Sequence, residues 1–428
     1  MKAALILTLL AACGDPPIDP NKPAAPDEND AAYSSTGLNG WYLIGDAATA
    51  GNDQLDFTIT APGDADVVDA YVADKPAVRM DKAAGGFHLA QAIGDLPAGA
   101  YDILFTKNGD HTAFAKVTFD RSAPYYVLVS TDYDFSDPGD NSTTFMDQLH
   151  TDHPDLVITH FWAPYTYTDP AVTEDRRNTL TAWIKNERDT YGDEIGLHIH
   201  PYCNFVEDAG ITCVTNNSDV YPEGDTTGYT TILASYDRPT LGTLLQHAKD
   251  LFSQRGLNVP VTFRAGGWTA DLSSLQAMND QGFVADTSAL NWARIEEWKG
   301  RVIYDWTMAH WAPIGDTSQP YYPSDTDADT SAPGSDMAML EVPDNGAMVD
   351  YVSYAEMLDI FNANWDGTPL AKSPVMMMGF HPSTELPQQY MSRASAFLKL
   401  ADMHLASTGL GPVVYITLSD IVPVFPAQ

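Results

Sequence analysis

From residue 122 onward, short apolar runs alternate with longer stretches of helical periodicity, which leaves few architectures open. The runs cover residues 125–130, 155–160, 194–200, 261–264, 283–286, 337–342, 374–380 and 413–417, and helix-length segments lie at 174–190, 239–255, 271–281, 353–364 and 386–407. Parallel strands need a long crossover, usually a helix, so the expectation for 122–428 is an α/β fold whose parallel sheet is open or closed into a (β/α) barrel. In such folds the chemistry gathers at the C-terminal ends of the strands. Residues 291–335, rich in Trp, Tyr, Pro and Asp, interrupt the pattern and read as a long loop excursion of the kind that is often functional.

The stretch ahead of this region follows a different grammar. Short alternating runs at 55–60, 67–72, 99–105 and 113–119, with Asn108-Gly109 as a hairpin turn, predict a small all-β, immunoglobulin-like sandwich over 35–121 that acts as a spacer or docking module. Earlier still, Met1-Lys2, an apolar run at 3–12 and Leu10-Ala11-Ala12-Cys13 resemble a bacterial lipoprotein signal, with 1–12 as the signal peptide and Cys13 as the lipidated residue. Residues 13–34, punctuated by proline, predict a tether. The expectation is an exported lipoprotein, periplasmic or on the cell surface, held to the membrane through its lipid anchor.

Export makes Cys203 and Cys213 candidates for a disulfide; two free thiols or a metal role are the alternatives. Ten residues apart on a polar segment with Gly and Asn, they suit a loop staple better than zinc-ligand spacing. Lys and Arg number 22 against 58 Asp and Glu, a net charge of −36, which excludes a general nucleic-acid binder.

Four strand ends carry residues that buried strands avoid: Ser130-Thr131-Asp132-Tyr133-Asp134, Gly196-Leu197-His198-Ile199-His200-Pro201, Phe263-Arg264 through Trp268, and Gly379-Phe380-His381-Pro382. Side chains alternate along a strand, so Asp132 and Asp134 share a side, as do His198 and His200. The two pairs can converge on one metal, and a carboxylate with two imidazoles and an open position is a hydrolytic site favouring zinc or a similar divalent ion.

The order of these motifs, with Asp286-Thr287-Ser288 between the Arg motif and the late His, resembles a divergent polysaccharide deacetylase of carbohydrate esterase family 4, the NodB-homology group, over about residues 125–424. The family's usual Asp-Asp stands here as Asp132-Tyr133-Asp134, and its usual His-x-x-x-His as His198-Ile199-His200. The resemblance implies an irregular (β/α) barrel and a metal-dependent hydrolase that removes N-acetyl or O-acetyl groups from a cell-envelope or extracellular polysaccharide. It implies Asp134, His198 and His200 as ligands of a divalent metal, zinc first, and Asp132 as base, with the two aspartates able to exchange roles. Arg264 would pair with Asp132, His381 would be the general acid, and the Tyr202 backbone N–H would stabilise the oxyanion. Trp268 and Trp162 would stack on sugar rings or be core aromatics. His160 would be a further ligand, a substrate contact or a structural residue, while His150, His153, His247, His310 and His404 would be structural or exposed. The rival readings are a surface-tethered glycan-binding protein that keeps the fold without activity, and an O-deacetylase or amidase acting elsewhere.

Overall fold

The computed structural model describes residues 22–215 and 225–427. The expected signal peptide, Cys13 and the first part of the tether lie outside the described residues. The chain divides into two compact units, the first built from residues up to 38 with 54–95 and 100–119, the second from 39–53, 96–99 and 120 onward.

The N-terminal region carries β1 (Ser34–Thr36), β2 (Trp41–Leu43), β3 (Gln54–Thr60), β4 (Val68–Val72), β5 (Val78–Arg79), β6 (Asp81–Ala83), β7 (Gly86–Ala92), β8 (Gly99–Lys107) and β9 (Ala115–Ser122). In the first unit one antiparallel sheet has the order β1-β3-β7-β6, and a second holds β8, β4 and β5 with most of β9. Alternation decides the faces: along β3, Leu55, Phe57 and Ile59 are buried. Phe57 and Phe105 meet edge to face at 6.1 Å. Asn108 and Gly109 both take positive φ, as a tight turn requires, but seven residues rather than two separate β8 from β9.

Two boundaries differ from expectation. Part of the proline-punctuated tether is docked: Ala24 donates to the His111 carbonyl and accepts from Ala113, and Asn29 pairs with the Lys116 backbone in both directions. Residues 39–53 belong to the second unit, where β2 runs parallel to residues 120–122 and Arg121 donates to the Leu43 and Asn52 carbonyls.

The second unit is a parallel sheet of β10 (Tyr125–Asp132), β11 (Ile158–Trp162), β12 (Glu194–Ile199), β13 (Thr262–Ala265), β14 (Ala285–Asp286), β15 (Leu340–Glu341), β16 (Val375–Phe380) and β17 (Val413–Tyr415). The order is β15-β14-β13-β12-β11-β10-β16, with β17 also pairing with β10. Every residue of β10 is buried, which is why it reads as an unbroken apolar run. The sheet curls, and irregular backbone after β15 bridges its two edges: Asn345 Oδ1 accepts from Met377 N, and Val349 N donates to the Gly379 carbonyl. Gly346 is needed there, because a Cβ would stand 1.8 Å from the Met377 carbonyl oxygen.

Nine α-helices are described: α1 (Gly139–Asp152), α2 (Glu174–Tyr191), α3 (Cys203–Asp208), α4 (Arg238–Gln254), α5 (Leu272–Asp280), α6 (Val302–His310), α7 (Tyr354–Asn364), α8 (Gln388–Asp402) and α9 (Leu418–Ile421). Local signals set their ends: Thr173 and Gly192 bracket α2, and Ser353 with Glu356 forms a capping box for α7. The expected loop 291–335 is corrected in part, since it contains a 3₁₀ segment at Trp292–Trp298 and then α6. Among the described residues no helix is long and apolar enough to cross a membrane.

Candidate active site

The parallel register carries the polar strand ends to one level, with His198 directly opposite Arg264 and Thr131 opposite Phe380. His198 Nδ1 lies 2.9 Å from the Arg264 carbonyl and His200 Nδ1 lies 2.7 Å from the Tyr229 carbonyl. A carbonyl can only accept, so each Nδ1 carries a proton and, in the neutral ring, each Nε2 is a lone pair. Both Nε2 atoms stand 3.2 Å from Asp134 Oδ1, another acceptor. A cation among the three atoms would satisfy all of them at once.

The residues fit a divalent ion. Ligands bound tetrahedrally at ~2.0–2.1 Å stand about 3.3 Å apart, close to the observed separations. His200 Nε2 is buried without a hydrogen bond of its own. The other Asp134 oxygen, Oδ2, accepts from the Tyr229 hydroxyl at 2.9 Å. Burial opposes the charge on Asp134, yet His200, His381 and His198 outweigh it and hold the carboxyl well below its ordinary range.

Beside this triad, Arg264 is fully buried under the Phe161 ring and donates from Nη1 to Asp132 Oδ1 at 2.8 Å and to Ser130 Oγ at 2.9 Å. Asp344 Oδ2 is 3.6 Å from Arg264 Nη2 and accepts from Trp268 Nε1 at 3.1 Å. Burial pushes Asp344 up to about 6, with Arg264 pulling the other way. On the opposite wall His381 donates from Nδ1 to Asp350 Oδ2 at 2.5 Å, and its backbone N–H reaches the same oxygen. Although burial opposes its charge, Asp134 and Asp350 raise His381 to about 10. Asp134, His200, Trp268 and His381 line a pocket of about 140 Å³, together with Trp298 and Arg301.

Two expected contacts are corrected. The Tyr202 N–H donates to the His200 carbonyl at 2.7 Å, so the turn itself uses the donor expected to meet an oxyanion. Trp162 is fully buried, packed on Tyr133 and bonded through Nε1 to the Tyr167 hydroxyl, away from any sugar. Trp268, nearly buried, lies in the pocket wall, its ring perpendicular to that of His381 at 6.0 Å. His160 lies behind the site: its Nε2 and that of His150 each meet Asp193 Oδ2 at 2.9 Å, with Glu187 3.7 Å from His150, while Thr131 and Tyr133 hydroxyls meet His160 Nδ1. These four buried groups thus back the backbone between Asp132 and Asp134.

Cys203 and Cys213 are joined in a disulfide. Cys203 N donates to Thr227 O, and Gly228 packs against Pro201 and the Cys213 sulfur, so the staple anchors the segment that carries Tyr229 to the triad.

Sequence reasoning missed Asp344, Asp350, Tyr229, Trp298, Arg301 and Tyr351. Asp344 follows β15 and obeys the strand-end rule that found the others. Trp298 ends the 3₁₀ segment 292–298 inside the expected loop, and the remaining four stand on irregular backbone or at a helix cap, with no periodic signal.

Neither a family model nor a curated protein sequence matches the chain. Solved structures do. A Mycobacterium smegmatis protein assigned as a polysaccharide deacetylase is 14% identical over 70% of this chain and 89% of its own, with a TM-score of 0.40. A family 4 carbohydrate esterase from Streptomyces lividans, in complex with acetate, is 8% identical over 70% and 95%, at 0.34. A 4-alpha-glucanotransferase from Thermococcus litoralis is 10% identical over 71% and 41%, at 0.41.

Proposed function

We propose that the chain is a metal-dependent hydrolase that removes acetyl groups from a glycan of the cell envelope or extracellular space. The observation that carries this reading is the sharing of Asp134 Oδ1 by two imidazole Nε2 atoms at 3.2 Å, on a pocket whose other wall offers a protonatable His381. Asp134, His198 and His200 would hold the ion, and this N/O donor set suits zinc. When bound, such an ion supplies Lewis acidity, polarising a carbonyl and lowering the pKa of water toward ~7.

The other residues then take distinct tasks. Asp132 takes a proton from the attacking water, with Arg264 fixing one of its oxygens. The contacts of Asp134 with both imidazoles support it, rather than Asp132, as the ligand. His381, held at Nδ1 by Asp350, presents Nε2 to donate a proton to the leaving amine nitrogen as the C–N bond breaks. Trp298, half-buried in the pocket wall, offers ring surface to a sugar, with the buried Trp268 in the wall beside it. Export and anchoring through Cys13 are supported by the sequence around Cys13 and by the disulfide, a bond that persists in oxidising compartments.

The test is acetate release from a panel of N- and O-acetylated oligosaccharides, with added zinc and after chelation. Release that chelation abolishes and zinc restores is expected. No release from any member of the panel would overturn the reading in favour of glycan binding without turnover.

A further inference from the structure

The pocket's one lining carboxylate and the three near it already have partners: Asp134 has two imidazoles and Tyr229, Asp132 has Arg264, Asp344 has Trp268, and Asp350 has His381. Arg301 stands outside this network. It lines the same pocket, is exposed, and makes no ion pair among the described residues. Most other arginines are paired with an acid, as with Arg79, Arg176 and Arg294, which is what a net charge of −36 leads one to expect.

Its placement is fixed from one side. The guanidinium carbon lies 5.4 Å from the centre of the Trp298 ring, which abuts Tyr351 edge-on at 5.4 Å, and Tyr351 in turn contacts His381 at 5.9 Å. Held over the ring by its carbon, the guanidinium still has N–H donors to offer, and that fork matches a planar anion such as a carboxylate. We infer that Arg301 selects glycans carrying an anionic substituent, a carboxylate first, near the acetylated position. This deepens the deacetylase reading and rests on it for the position of the acetyl group. The molecule's overall negative charge repels a dense polyanion, so the substrate class is one whose anionic sugars are separated by neutral ones.

The experiment pairs hyaluronan oligosaccharides, in which glucuronate alternates with N-acetylglucosamine, with the same oligosaccharides after reduction of the carboxyl to an alcohol; O-sulfated chitooligosaccharides form a third arm. Both acetate release and direct binding, read by tryptophan fluorescence, are measured for wild type, Arg301→Gln and Arg301→Lys. Wild type should prefer the carboxylated member at least tenfold, Arg301→Gln should bring that ratio to about one, and Arg301→Lys should keep part of it. Equal binding of the carboxylated and reduced forms by wild type, or an undiminished preference in Arg301→Gln, overturns the inference. A preference for the sulfated arm alone overturns carboxylate as the group read. If no acetate is released but binding keeps an Arg301-dependent preference, the hydrolase reading fails and the anion selectivity stands.

Discussion

Replacing Asp350 with Asn removes a charge 2.5 Å from His381 Nδ1 while leaving an oxygen that can still accept from it. The ring should keep its orientation and lose the electrostatic support for its proton. An opposite charge this close shifts a pKa by ~1–3 units. Burial opposes the imidazolium, and Asp134 and Asp350 together lift it to about 10. With a cation on Asp134 that contribution is offset, so Asp350 is the main remaining support. A general acid works protonated; lowering its pKa therefore moves the alkaline limb of the rate profile downward. The expected result is an alkaline limb shifted by about 1–3 pH units, with acetate release from an N-acetylated oligosaccharide reduced about tenfold or more at pH 9 and far less at pH 6. An activated aryl acetate, whose alcohol leaves without a proton, should show little of this shift. Coincident alkaline limbs for wild type and Asp350→Asn would refute the assignment of His381 as the acid.

Further expectations concern the site's supports. Arg264→Met leaves Asp132 buried without its cation and should destabilise by about 3–5 kcal/mol in denaturant unfolding, and a change below ~1 kcal/mol would contradict the pairing. Replacing both Cys203 and Cys213 with Ser should cost about 2–3 kcal/mol and weaken metal binding, because the staple anchors the segment that carries Tyr229; unchanged metal affinity would separate the two. Burial, then Asp147 and Asp193, push Glu187 up to about 8, above its ordinary 4.5. Its contribution to stability is complete below the unfolded value and is lost as pH rises through the folded one, so the Tm advantage of Glu187→Gln should grow between pH 5 and pH 8. A difference in Tm that does not vary with pH would contradict this.

What the sequence disclosed follows from burial. Strands such as β10 and β16 are covered on both faces, so they stand out as apolar runs, and an Asp or His at the end of such a run has few reasons to be there except chemistry. That made Asp132, Asp134, His198, His200, Arg264 and His381 visible. Trp162 and Trp268 looked alike because both follow apolar strands; only packing separates a ring locked against Tyr133 from one on the pocket wall. Asp350, Tyr229 and Arg301 sit on irregular backbone, where no period marks which way a side chain faces. Helix α1 was missed because it opens Gly139-Asp-Asn-Ser-Thr-Thr, residues that favour caps and turns, and its large apolar contacts with the core come from just Phe145, Met146 and Leu149.

The central claim is that Asp134, His198 and His200 form a binding site for one divalent ion. Metal content of the purified protein, measured by elemental mass spectrometry after zinc loading and desalting, tests it most directly in wild type, His200→Ala and Asp134→Asn. About one ion per chain in wild type and a small fraction of that in either variant is expected, since two remaining protein ligands hold an ion poorly. Full occupancy in His200→Ala, or none in zinc-loaded wild type, would contradict the account.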